Sequence, residues 1–144
     1  MKRLALLLLC AVFFTAGCTA SDEGSMKKTY SYTQISQDEA KEMMQKDDGH
    51  IIVDVRREDE YAEGHIPGAV NIPNERIGTS MPSQLPDTDQ VILVYCRSGN
   101  RSKDASEKLA RIGYTNVYEF GGINTWTGEV VAEDNYTEAI RPVP

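Results

Sequence analysis

Val91-Ile92-Leu93-Val94-Tyr95-Cys96-Arg97-Ser98-Gly99-Asn100-Arg101-Ser102 decides the fold. The five residues 91–95 form the strongest apolar run of strand length in the chain. A strand apolar at consecutive positions, with no polar alternation, is buried on both faces, as in a parallel sheet. A small, polar, glycine-containing loop follows. Residues 101–112 then place Ala105, Leu109 and Ile112 on one face, with Gly113 beyond the last turn. That spacing predicts a helix closed by a glycine C′ residue.

The same grammar recurs on either side. Ile51-Ile52-Val53-Asp54-Val55 is a second buried strand, followed by a short polar helix over 57–63 that Gly64 closes. Ala69-Val70-Asn71-Ile72 reads as a short strand stopped by Pro73. Val117-Tyr118-Glu119-Phe120 reads as another, with Gly121-Gly122 as a turn before a short helix around Trp126. Ahead of them, Ser36-Gln37-Asp38-Glu39 is a capping box opening a helix over 37–46. Residues 74–90 contain Gly78, Pro82 and Pro86 and read as a weak helix or loop. Helices alternating with strands predict an α/β domain: three layers around a small, mostly parallel sheet.

Length and charge bound the rest. The 144 residues allow one ordinary domain. Residues 1–17 read as an export signal: Met1-Lys2-Arg3 is basic, Leu4 to Phe14 carries no charge, and small residues follow. Eleven apolar residues are too few to span a bilayer as a helix. Residues 18–29 read as a polar tether, 30–131 as the folded domain and 132–144 as an acidic, proline-ended tail. Fifteen Lys and Arg, less Lys2 and Arg3, against 22 Asp and Glu leave the mature chain at −9. That balance excludes a general nucleic-acid binder.

Three cysteines cannot build a disulfide scaffold. With Cys10 lost in the signal core and Cys18 at the cleavage site, Cys96 is the one free thiol of the domain. It stands at the C-terminal end of a buried strand, where open α/β sheets place their ligand sites. The loop running into a helix N-terminus aims backbone N–H groups at one spot, which attracts an anion and lowers a thiol pKa. Arg97, Arg101, Lys103, Lys108 and Arg111 against Asp104 and Glu107 leave residues 96–111 locally positive. An anionic substrate at a nucleophilic sulfur is the chemistry this predicts.

The loop Cys96-Arg97-Ser98-Gly99-Asn100-Arg101-Ser102 resembles the active-site loop of single-domain rhodaneses, the thiosulfate sulfurtransferases. Asp54-Val55-Arg56, Glu60-Tyr61 and Gly64-His65-Ile66-Pro67-Gly68-Ala69 resemble the family's N-terminal motif. Glu119-Phe120-Gly121-Gly122-Ile123, with Trp126 and Gly128, resembles its C-terminal one. The likeness covers about residues 30–131. It implies a rhodanese-like fold and a sulfurtransferase that carries sulfur from thiosulfate or a similar small anionic donor as a Cys96 persulfide. A thiol or cyanide acceptor, a protein thiol included, takes the sulfur; no metal or organic cofactor is implied. Residues 97–102 are the expected active loop, with Arg97 and Arg101 drawing in the anion.

Separately, Thr15-Ala16-Gly17-Cys18 resembles a bacterial lipobox, with Thr15 where a large apolar residue is usual. It implies lipidation at Cys18 and an anchor at the outer face of a bacterial membrane, periplasmic or cell surface; the protein itself is expected to be a monomer.

Asp54 is expected to support the site by pairing with an active-loop arginine or with loop amides, and Arg56 with Glu60 as an internal ion pair. His65 reads as structural, Trp126 as a core anchor, and His50 has no second metal ligand nearby. Two rivals share the sequence features. Cysteine phosphatases and arsenate reductases resemble a Cys-x5-Arg pattern, whereas Cys96 to Arg101 is Cys-x4-Arg, a tighter cradle better fitted to one sulfur atom. A non-catalytic rhodanese-like binding or sulfur-carrier module is the other; binding modules usually lack the nucleophile that Cys96 provides.

Overall fold

A computed structural model describes residues 31–132. The run quoted above is the central strand β4, Val91–Cys96, of a five-stranded sheet. Its neighbours are β2, Ile51–Asp54, and β5, Asn116–Gly122. The edges are β3, Val70–Asn71, and β1, Thr33–Gln34. The order is β1-β5-β4-β2-β3 and every pairing is parallel. Three helices connect them: α1, Gln37–Met44, α2, Glu58–Glu63, and α3, Asn100–Ile112.

Side-chain alternation along β4 divides the core. Ile92, Val94 and Cys96 face the α3 side and pack with Val53, Val55, Ala105, Leu109 and Val117. Leu93 and Tyr95 face the other side, with Ala40 of α1, Ile52, Ile66 and Phe120. Parallel strands must be covered on both faces, and this pattern achieves it with about a hundred residues.

The expected elements are present, with boundaries shifted. The Ser36 capping box forms: Glu39 N–H donates to Ser36 Oγ at 3.2 Å and Ser36 N–H to Glu39 Oε2 at 2.7 Å. Gly121-Gly122 is not a turn. It extends β5, and Gly122 pairs with Cys96. The expected helix at Trp126 is a single 3-10 turn, Ile123–Thr125, with Trp126 as its cap. A like turn, Asn74–Arg76, is the regular structure inside 74–90. Val131 pairs with His65 in an isolated antiparallel bridge, tying the end of the described chain to the fold. The signal segment, Cys18, the tether and nearly all of the tail lie outside the described residues.

Candidate active site

Cys96 is the last residue of β4, and the chain turns through Arg97 and Ser98 to Gly99, the N-cap of α3. Gly99 has φ +105°, a left-handed conformation that side chains other than glycine's rarely adopt. The turn folds its N–H back onto the sulfur, Gly99 N to Cys96 Sγ at 3.1 Å. Ser102, one turn into α3, sets its hydroxyl 3.4 Å from the same sulfur. Cys96 is buried. Burial pushes its thiol up, but the Ser102 hydroxyl and the N–H groups of Ser102, Gly99 and Ser98 outweigh it, and the thiol lies below its ordinary value. This is the helix-terminus effect that favours a thiolate.

Two elements brace the loop. Arg97 C=O accepts from Asn124 N–H at 3.2 Å. Behind it stands Gly122, where a Cβ would lie 2.2 Å from Arg97 O. The loop therefore rests directly on the backbone of β5.

The charges pair differently from the sequence reading. Arg101 does not hang free over the sulfur. It grips Glu60 of α2 with two hydrogen bonds, Nη1–Oε2 at 2.7 Å and Nη2–Oε1 at 2.9 Å. Glu60 also accepts Arg57 N–H at 3.2 Å, so α2 is latched to the start of α3. The Arg101 hydrogen bonds, working against desolvation, hold the Glu60 carboxyl down at about 2. A depressed folded-state pKa means stability present above the ordinary carboxylate range and lost as pH falls towards 2.

Arg56, expected to pair with Glu60, pairs with Asp54: Nη2–Oδ2 is 2.6 Å and Nε lies 3.0 Å from both carboxylate oxygens. Asp54 thus reaches neither a loop arginine nor a loop amide. Strand alternation explains this: Asp54 shares the face of Ile52 and sits in register with Tyr95, opposite the layer that holds Cys96.

The positive patch is smaller than the sequence count. Lys108 pairs with Asp104, Arg111 with Glu107 and Arg101 with Glu60. Among the described residues, Arg97 and Lys103 are the patch cations left without a carboxylate, and both are exposed. His65 is buried, stacks on Tyr61 at 3.7 Å and bonds the Tyr61 carbonyl at 2.9 Å, a structural position. Trp126 packs on Phe120 at 5.7 Å. His50 bonds Asp48 at 2.8 Å, and the described residues contain no group of three or more ligating side chains that suits a metal ion.

Glu119 belongs to the site as well, a role that neither its strand position nor its place in the C-terminal motif assigns to it. Its carboxylate, 2% exposed, accepts from Ser102 Oγ at 2.6 Å and Gly121 N–H at 2.9 Å. A carboxylate in the middle of a buried strand was the available signal.

The rhodanese-like domain model matches residues 36–129. This chain belongs to the rhodanese-like family. It is 37% identical over 71 residues to the thiosulfate sulfurtransferase PspE of Escherichia coli, covering 49% of this chain and 68% of that one. It is 36% identical over 96 residues to the thiosulfate sulfurtransferase GlpE of Coxiella burnetii, covering 66% and 87%. Among solved structures, a rhodanese with anions from E. coli superposes with a TM-score of 0.54 at 32% identity, over 58% of this chain and 98% of that one. The rhodanese-like fold is thus shared across sequence and structure.

Proposed function

We propose that this rhodanese-like protein is a sulfurtransferase acting through Cys96, with thiosulfate or a similar sulfane-sulfur anion as donor. The observation that carries the reading is the sulfur's position at the end of β4, with the Gly99 N–H turned onto it at 3.1 Å and a thiol held below its ordinary value. The Cys96 thiolate attacks the outer sulfur of thiosulfate. The S–S bond of the donor breaks, and sulfite leaves with the bonding pair. The sulfur stays on Cys96 as a persulfide anion, in reach of the N–H groups that favoured the thiolate. An acceptor thiolate or cyanide then attacks the outer sulfur and regenerates Cys96, a ping-pong cycle. Arg97, exposed beside the nucleophile, draws in the anion. Arg101 holds the loop through Glu60.

Mass spectrometry of reduced full-length protein after thiosulfate treatment should show one added sulfur on the Cys96 peptide, absent in Cys96→Ser. A folded, reduced wild-type protein that takes no sulfur overturns the reading. An aryl phosphate in parallel tests the phosphatase rival, and turnover of it would favour that rival.

The protein is further proposed to be exported and anchored through lipidated Cys18, a reading supported by the signal-like residues 1–17. Cys18→Ala should move the protein from the membrane to the soluble fraction of the cells that make it. Retention at the membrane would reject the lipid anchor.

A further inference from the structure

No cation among the described residues pairs with the buried carboxylate of Glu119. Among the described residues its partners are all neutral: the Ser102 hydroxyl, Gly121 N–H and, at 3.1 Å, the Gln34 side-chain amide. Burying a carboxylate with no cation beside it is costly, and hydrogen bonds from neutral donors offset that cost only in part. Its nearest contact leads straight to the nucleophile.

Ser102 has one proton to give. Glu119 Oε1 at 2.6 Å is a closer and stronger acceptor than Gly99 O at 3.0 Å or Gly121 O at 3.3 Å. With that proton on the Glu119 side, Ser102 turns a lone pair to Cys96 Sγ, 3.4 Å away, and accepts from the thiol. The chain is then Cys96 S–H to Ser102 O–H to Glu119. Each link is a hydrogen bond that works equally well in reverse.

We infer that Glu119 is a positioning residue that stores the Cys96 proton, taking it through Ser102 as the thiolate forms and returning it as the thiol re-forms. In the forward direction the S–H bond breaks and an H–Oγ bond forms on Ser102. The former Ser102 O–H bond breaks and an H–Oε1 bond forms on Glu119. Two bonds form and two break, nothing is oxidised, and one negative charge moves from the carboxylate to the sulfur. No heavy atom needs to move. Afterwards Glu119 donates to Ser102 and Ser102 donates to the sulfur, beside the Gly99 N–H. The charge leaves a site of neutral donors for a helix N-terminus.

The groups facing this chain are few. From α3 come Ser102 and Arg101, whose charge acts on Cys96 but is held by Glu60. From β1 and the residue before it come Gln34 and Tyr32. Burial, then the charges of Glu119 and Glu107, push the Tyr32 phenol up, so it stays neutral near pH 7. The exposed Arg97 completes the set.

The relay rests on Cys96 working as a thiolate, the premise of the sulfur-transfer reading. The test therefore uses no sulfur donor, and either idea can fail alone. Full-length wild type, Glu119→Gln and Ser102→Ala are alkylated with iodoacetamide between about pH 5 and 8, and modification of the Cys96 peptide is followed by mass spectrometry. A pair that shares one proton keeps its thiolate fraction constant between the two macroscopic steps of the pair, so the wild-type rate should flatten to a plateau, changing less than about twofold per pH unit. In both variants it should fall roughly tenfold per pH unit, as for a lone thiol below its pKa. Profiles of the same shape in all three proteins, whatever their height, overturn the relay. A variant that does not fold leaves a second readout. The infrared carboxylic-acid carbonyl band of wild type at neutral pH should be missing in Cys96→Ser, which keeps both Ser102 and Glu119. Identical spectra overturn the proposal.

Discussion

Gly122→Ala is expected to cut sulfur loading of Cys96 by about a hundredfold or more while the sheet stays formed. The added Cβ would lie 2.2 Å from Arg97 O, 2.5 Å from Arg97 C and 2.6 Å from Ser98 Cα. All three are backbone atoms, so no side chain can swing aside. Either β5 separates from β4 or the loop lifts. The β4–β5 ladder runs from Val91 to Cys96 at the centre of the sheet. Among the described residues, the bond from Asn124 N–H to Arg97 C=O ties residues 97–98 to that side. The loop is the element that gives, at about 1–3 kcal/mol for an overpacked contact. Lifting residues 97–98 drags the Gly99 N–H away from the sulfur. A displacement near 1 Å at a reacting centre costs on the order of a hundredfold. Thiosulfate loading should collapse, with a thermal melt still cooperative. Wild-type loading in a folded Gly122→Ala protein would show that the loop does not need its seat on β5.

That seat was only half visible in the sequence. The central strand, α3 and the cysteine at their junction were legible because an uninterrupted apolar run, a small polar loop and a 3.6-residue stripe are local patterns. Ser36 and Glu39 announced their helix for the same reason. Where structure depends on partners distant in sequence, local pattern was silent or misleading. Thr33–Gln34 is an edge strand of two exposed polar residues, held by β5 with no apolar signature of its own. Gly121-Gly122 has turn composition, yet both belong to the strand: the Arg97 backbone fills the space a Cβ on Gly122 would take, and Gly121 has φ +95°. The pairings failed likewise. Asp54, Arg56, Glu60 and Arg101 were singled out from sequence, but which cation meets which carboxylate depends on the side of the sheet each one faces. Asp54 and Arg56, two apart, stay together, and Glu60 is left for Arg101.

The Asp54–Arg56 pair has the second large expected effect. Arg56→Ala should destabilise the fold by about 3–5 kcal/mol, the usual cost of leaving one member of a buried pair alone. Both side chains are almost wholly enclosed, 0% exposed for Asp54 and 7% for Arg56. Burial works against the Arg56 charge, and Asp54 more than restores it, so the guanidinium is held above its ordinary value. Arg56 also donates to Gly64 O at 2.6 Å and lies 5.9 Å from the centre of the Tyr95 ring. The truncation therefore strands a carboxylate, frees a carbonyl and uncovers an aromatic face together. Against a typical total of about 5–15 kcal/mol, that brings the domain close to unfolding. Replacing both members, Asp54→Asn with Arg56→Met, removes the stranded charge and should cost less than Arg56→Ala alone, although it alters more atoms. Urea denaturation of the three proteins decides it. A double variant less stable than Arg56→Ala would mean that the pair's hydrogen bonds and packing, rather than the cost of an unpaired buried charge, hold this corner of the fold.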